Sequence, residues 1–457
     1  MATYSWHPST LSFRLFLATA ALAPLPLGSV EPFVSAVAGL VMLVALITAP
    51  LSAMRPNARR LLRLALAVTV MYLALFAFQL WPDPPFGLAH SLWQRTAAET
   101  GIETVARISV APGETLYVAG NFLVLAAIFA LGVIHGQHSR NAETLLRVLA
   151  AAGLAYALFA IAQFTLMPDY LMWHPKFAYF ESLTAPFVNR NTAATYYGTV
   201  AIMWGALIVI DRRARRAVGH PGGGEQRLYF QITAVAIVLI ALFMTDSRGG
   251  TIASLLGGLT FAIFAVSFRS RPFMWRLLVV LAVLAATAAT VWLLGDTIAL
   301  RLTDGPSSFS RLCAYRTVHA AIAEHFWFGT GLGSFELAFP AFRDPECGIT
   351  GTWDRAHNTL LNLTFELGVP AGALALFLWL KCGQLLAQGF ARRRKGRVYP
   401  LTALAVWVCA GVHSLIDFSL EIPGYAAVVA AIMGTALAQS VLMRDDPLSA
   451  PTRGPDT

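Results

Sequence analysis

Residues 148–167, VLAAAGLAYALFAIAQFTLM, run without a single charged side chain. A helix rises about 1.5 Å per residue, so such a run spans roughly 30 Å, the thickness of a bilayer hydrocarbon core. In that core a segment must satisfy its own backbone N–H and C=O groups, which dictates helix. Similar runs recur along the chain. We read spans over 11–29, 32–54, 61–81, 115–135, 143–167, 191–210, 228–245, 250–268, 273–295, 357–383, 400–420 and 423–443. Hydrophobic residues make up 57% of the chain and charged ones only 12%, against about 25% charged in soluble domains. These features exclude a soluble domain and predict an all-α polytopic membrane protein of about 12 transmembrane helices.

The expected organisation follows from the spans. Residues 1–295 hold helices one to nine. A large outside loop, 296–356, precedes the tenth helix and is long enough to hold chemistry. Residues 357–443 hold helices ten to twelve, and 444–457 form a disordered cytoplasmic tail. The first span begins beside Arg14 and is read as an uncleaved helix, because another span follows at once.

Orientation follows from Lys and Arg. With the N-terminus inside, the inside segments hold most of the 33 basic residues, including Arg55, Arg59, Arg60 and Arg63, the cluster Arg212–Arg216, and Arg392–Arg397. Both termini are then cytoplasmic. The net charge of +9 is accounted for by these loops, and membrane lipids rather than nucleic acid are the expected partners. Cys382 and Cys409 fall in spans and read as apolar packing. Cys313 and Cys347 share the large loop, where an oxidising compartment permits a bond.

The informative residues are charges at the outer surface, where a cation or carboxylate is costly unless paired or used. Arg190 lies in PFVNRNTAATYYG between Asn189 and Asn191, as an interfacial anchor or an anion ligand. Arg248 lies in MTDSRGGTIASL, where Ser247 or Asp246 can cap a helix and Gly249 and Gly250 leave its first N–H groups open; a helix start beside an arginine suits an anion. His357 opens the tenth span in WDRAHNTLLNLTFELG, where a histidine can act as a base near neutral pH, with Asp354 placed to orient its ring. Their i,i+4 spacing puts His413 and Asp417 on one helix face, as a structural ion pair or part of an acceptor site. Glu366 faces the bundle interior. GTGLG at 329–333 lacks the full dinucleotide fingerprint and reads as a turn. The scattered histidines give no metal-ligand cluster, so no metal and no cofactor is expected.

The order NRN at 189–191, SRGG at 247–250, GTGLGSF at 329–335 and AHN at 356–358 resembles the O-antigen ligase and O-antigen polymerase superfamily. HSLIDFSLEIP at 413–423 is similar to its exopolysaccharide-type members. The resemblance covers roughly 185–440. It implies a metal-independent glycosyltransferase that takes a glycan from undecaprenyl diphosphate at the periplasmic face. The acceptor would be lipid A–core, a growing glycan chain or, in some relatives, a protein. By position, Arg190 and Arg248 match arginines that hold the donor diphosphate, and His357 matches the base. Asn189, Asn191, Arg311, Arg316, Arg343, Asp354, Asn358, His413 and Asp417 are candidates for glycan or supporting contacts. HSLIDFSLEIP tilts the reading toward a polymerase. A lipid-linked glycan flippase would need charges near the bilayer midplane and paired repeats, and neither is seen. A membrane acyltransferase also uses a surface histidine but has no need of two arginines suited to phosphate.

Overall fold

A computed structural model of the chain describes residues 8–218, 224–266, 306–344 and 351–441. The described residues are helical apart from loops and a two-residue hairpin, β1 (Tyr170–Leu171) with β2 (His174–Pro175). The helices are α1 (Pro8–Leu22), α2 (Pro32–Ile47), α3 (Pro56–Gln79), α4 (Ser91–Thr100), α5 (Pro112–His135), α6 (Ser139–Leu166), α7 (Arg190–Val218), α8 (Glu225–Met244) and α9 (Arg248–Val266). They continue with α10 (Pro306–Glu324), α11 (Thr359–Leu367), α12 (Val369–Arg392), α13 (Val398–Ser414) and α14 (Pro423–Val441). Among them eight are long and apolar enough to cross a membrane, and α1, α2 and α13 are shorter apolar helices. The chain is an all-α polytopic membrane protein. The span expected at 273–295 and the tail after Val441 lie outside the described residues.

Expected spans are corrected at several edges: the second ends at Ile47, not 54, and the sixth runs past 210 to Val218. The first ends at Leu22, because Pro24 and Pro26 cannot extend the helix and the chain turns there instead. The eleventh ends at Ser414, not near 420. The tenth is two helices. Gly368 takes φ +84° between α11 and α12, and a Cβ there would overlap the backbone of Trp327. Pro370 then sits in the first turn of α12, where the missing N–H costs nothing. The membrane crossing therefore starts at Val369, and α11 is a nine-residue element at the bundle's end.

Glycines set how closely the helices approach. Gly132 of α5 and Gly136 just after it meet the backbone of α14 at Ala431, Gly434 and Thr435, so α5 and α14 run side by side in the same direction. A Cβ at Gly198 or Gly250 would collide with Ser254 or with Ala194, which lets α7 and α9 touch at their starts. Ser12 donates to Ala45 O (2.7 Å) and bonds His135 Nε2 (2.8 Å), bringing the start of α1 to the ends of α2 and α5. Gly424 N donates to Gly28 O (2.7 Å), fixing the opposite end.

That geometry gathers the starts of α7, α9, α11 and α14 and the ends of α8 and α13 at one end of the bundle. The basic segments lie at the other end. There Asp211, 5% exposed, takes Arg147 of α6 (2.5 Å), Arg227 of α8 (2.9 Å) and the Gln231 amide (2.6 Å), so one carboxylate ties three helices. On the first end the loops pack on each other. His90, at the start of α4, stacks on His325 after α10, with ring centroids 4.3 Å apart, and Phe342 packs edge-on to both. Burial, His325 and Arg95 together push the His90 imidazole down to about 4; burial also lowers His325, against the pull of Glu324.

Candidate active site

The site is built on helix ends. Asn189 caps α7: its Oδ1 accepts from Asn191 N (2.7 Å) and Thr192 N (3.1 Å). The cap places Arg190 at the first position of the helix. Arg190 Nη1 donates to Ser182 Oγ (3.2 Å) and Asp246 Oδ2 (3.0 Å), and its guanidinium lies 5.5 Å from the Tyr179 ring centre. Ser247 caps α9, accepting from Gly250 N (3.2 Å). Arg248 and Gly249 occupy its first turn, where N–H groups have no intrahelical acceptor. Asp246, Ser247 and Arg248 are consecutive, so the carboxylate paired with Arg190 stands beside the start of α9. Two arginines and two helix starts at one place favour an anion with several oxygens.

His357 stands at the edge of this region with φ +51°, in the left-handed range that costs energy for a side chain with a Cβ. Neighbours hold it there. Tyr315 OH donates to His357 O (3.0 Å), and Asn358 caps α11 (Leu361 N to Oδ1, 3.1 Å) while donating to Leu415 O (2.9 Å). The ring lies edge-on between Trp353 (5.6 Å) and Phe418 (5.1 Å). Its Nδ1 faces Asp417 Oδ1 at 3.7 Å, an ion-pair distance longer than a tight hydrogen bond.

The carboxylate that faces the His357 ring is thus Asp417, not Asp354. Asp354 is exposed, and its carbonyl accepts from Arg355 Nη1 (2.6 Å). The i,i+4 pairing of His413 with Asp417 is corrected as well. Helix α13 stops at Ser414, so Asp417 lies beyond it and turns to His357, while His413 Nδ1 bonds Ser419 Oγ (2.9 Å). Burial alone would raise the Asp417 carboxyl, but His357, His413 and the Phe418 N–H (2.8 Å) outweigh it and hold it below the usual range. The other oxygen of Asp417 accepts from Asn191 Nδ2, and Asn191 Oδ1 accepts from Ser247 Oγ (2.7 Å). The chain His357–Asp417–Asn191–Ser247 therefore joins the histidine to the start of α9.

Two residues of this region were not singled out from sequence. Arg355 Nε pairs with Glu421 Oε2 at 3.2 Å, fastening the turn before His357 to the segment after α13. A signal was available: both sit inside the quoted WDRAHN and HSLIDFSLEIP stretches. Glu366, for which no partner was identified, accepts from Gly333 N (2.9 Å) and Phe335 N (3.3 Å). It holds the GTGLGSF turn, whose Gly329, Gly331 and Gly333 all have positive φ. Arg343 Nη2 donates to Gly351 O (2.7 Å) with its guanidinium over Phe339, and Arg316 is exposed on α10. The Arg311 side chain lies outside the described residues. Cys313 is disulfide-bonded and Cys382 and Cys409 are free, while Cys347 lies outside the described residues.

The fold and the site define a multi-pass helical membrane protein with two arginines and a histidine gathered at one end of its bundle. Residues 233–376, about a third of the chain, match a family model described as O-antigen ligase. The match bears out the resemblance to the O-antigen ligase and polymerase superfamily. It contains Arg248, His357 and the loop between them, whereas Arg190 and the 413–423 stretch lie outside it. No curated protein matches the chain.

Proposed function

We propose that the protein is an inverting, metal-independent glycosyltransferase at the periplasmic face of the bacterial inner membrane. It takes a glycan from undecaprenyl diphosphate and passes it to lipid A–core or to a growing glycan chain. The observation that carries this reading is the side-chain chain from His357 through Asp417 and Asn191 to Ser247, beside Arg190 and Arg248. As the anomeric C–O bond breaks, negative charge develops on the leaving diphosphate. Arg190, Arg248 and the first N–H groups of α9 stabilise that charge. His357 Nε2 takes the proton of the attacking sugar hydroxyl, and Asp417 on the Nδ1 side orients the ring and stabilises the imidazolium that forms. A single in-line displacement inverts the anomeric centre.

The test is a reconstitution. Purified protein in sealed proteoliposomes, given an undecaprenyl-diphosphate-linked glycan and an acceptor, should release undecaprenyl diphosphate and extend the acceptor. Transfer of the intact donor across the bilayer without release would support a flippase and overturn the proposal.

A further inference from the structure

The segment between α6 and α7 buries a lysine that the reaction does not use. Lys176 follows the β1–β2 hairpin and is 9% exposed. An ammonium removed from water needs its donors occupied. Its Nζ donates to Ser182 O (2.9 Å) and lies 3.5 Å from Tyr179 O, and the Phe164 ring centre is 5.0 Å away. The lysine backbone is itself fixed, with Lys176 N donating to Asp169 O (2.7 Å). Burial lowers the ammonium's pKa and Asp169 opposes that shift.

The two carbonyls that Lys176 gathers belong to the residues that hold Arg190. Ser182 supplies the hydroxyl accepting from Arg190 Nη1, and Tyr179, itself at φ +56°, supplies the ring beneath the guanidinium. The next residue, Leu183, donates to Met244 O (2.9 Å) at the end of α8, two residues before the Asp246 that also pairs with Arg190. An arginine side chain has several rotatable bonds, and holding it in one geometry costs entropy. Here two of its three supports are parts of one turn, and Lys176 closes that turn.

We propose that Lys176 is a positioning residue: it locks the 179–182 turn so that Ser182 and Tyr179 hold Arg190 ready for the donor diphosphate. The proposal rests on the diphosphate role given to Arg190 above. Lys176 touches no substrate and acts only through the turn.

The experiment is a double-mutant cycle on the full-length protein in nanodiscs, with undecaprenyl diphosphate as the probe and its dissociation constant as the readout. Lys176→Met should weaken binding by about tenfold, the scale of coupling between residues in one network. Arg190→Ala should weaken it at least as much, and the double variant no further than Arg190→Ala alone. Lys176→Gln, which keeps an amide donor but is too short to gather both carbonyls, serves if Lys176→Met does not fold; it should show the same non-additivity. Additive losses, or wild-type binding by a folded Lys176 variant while Arg190→Ala is impaired, would overturn the positioning role alone. Wild-type binding by Arg190→Ala would overturn the diphosphate reading and this proposal together.

Discussion

The Asn191 side-chain amide donates to the Asp417 carboxylate, joining α7 to the segment after α13 across more than two hundred residues of chain. Through this contact the carboxylate facing His357 and the cap of α9 share one hydrogen-bonded line. Geometry at the proposed base and geometry at the proposed diphosphate site are therefore linked.

His357 and Asp417 should separate binding from chemistry. Removing a general base typically costs about 10²–10⁴-fold in rate, so His357→Ala should lower single-turnover rate on that scale while leaving undecaprenyl diphosphate affinity nearly intact. Asp417→Asn, which removes the negative charge facing the Nδ1 side of the ring, should likewise lower single-turnover rate while leaving that affinity nearly intact. Near-normal turnover by folded His357→Ala protein would remove it as the base.

Arg248 is expected to resist its closest replacement. A lysine supplies a point charge and cannot reproduce bidentate contact with phosphate oxygens. Arg248→Lys should lose most activity at equal protein level, and Arg248→Ala more. Full activity of Arg248→Ala would end the diphosphate assignment at that position.

Metal removal gives an independent check. The proposed charge stabilisers are guanidinium groups and helix N–H groups, so turnover of purified protein should survive excess EDTA. Activity lost to EDTA and restored only by magnesium or manganese would show that the arginines are not sufficient.

The stacked His90 and His325 predict acid sensitivity of the loops that carry them. In the folded chain His90 titrates at about 4, and His325 is lowered too, whereas an unfolded histidine titrates near 6.5. Between those values the unfolded chain binds more protons, so stability falls as pH drops from about 6.5 toward 4. The unfolding temperature should fall by a few degrees from pH 7 to pH 5. His90→Phe, which keeps a ring on His325, should show a smaller fall. An equal acid response in that variant would remove the stack as its source.

Much of this architecture was legible in the sequence, and the exceptions have physical causes. Hydropathy found the apolar helices because lipid-exposed faces must be apolar, and Arg190, Arg248 and His357 stood out because charge at a membrane surface is costly. The break at Gly368 was hidden because Gly368, Val369 and Pro370 are themselves apolar, so the run from 357 to 383 read as one span; the Gly-then-Pro pattern at a helix boundary was the available cue. The partner of Asp417 was not legible. Spacing along a helix offered His413, but α13 stops first, and the real partner lies about sixty residues earlier in a different element. The role of Lys176 depends on carbonyls of a turn, which side-chain patterns do not report.

The shared placement of helix starts bears on turnover. α7, α9 and α11 all begin at the site end, and each contributes a partial positive charge that does not depend on pH. On the proposed reading the donor enters as a diphosphate diester and leaves as a monoester with an additional ionisable oxygen. A fixed positive field holds the more charged species more tightly, so the spent carrier is retained longer than the donor. Release of that carrier is then expected to limit the cycle, and added undecaprenyl diphosphate to inhibit competitively against donor at concentrations below the donor's own KM.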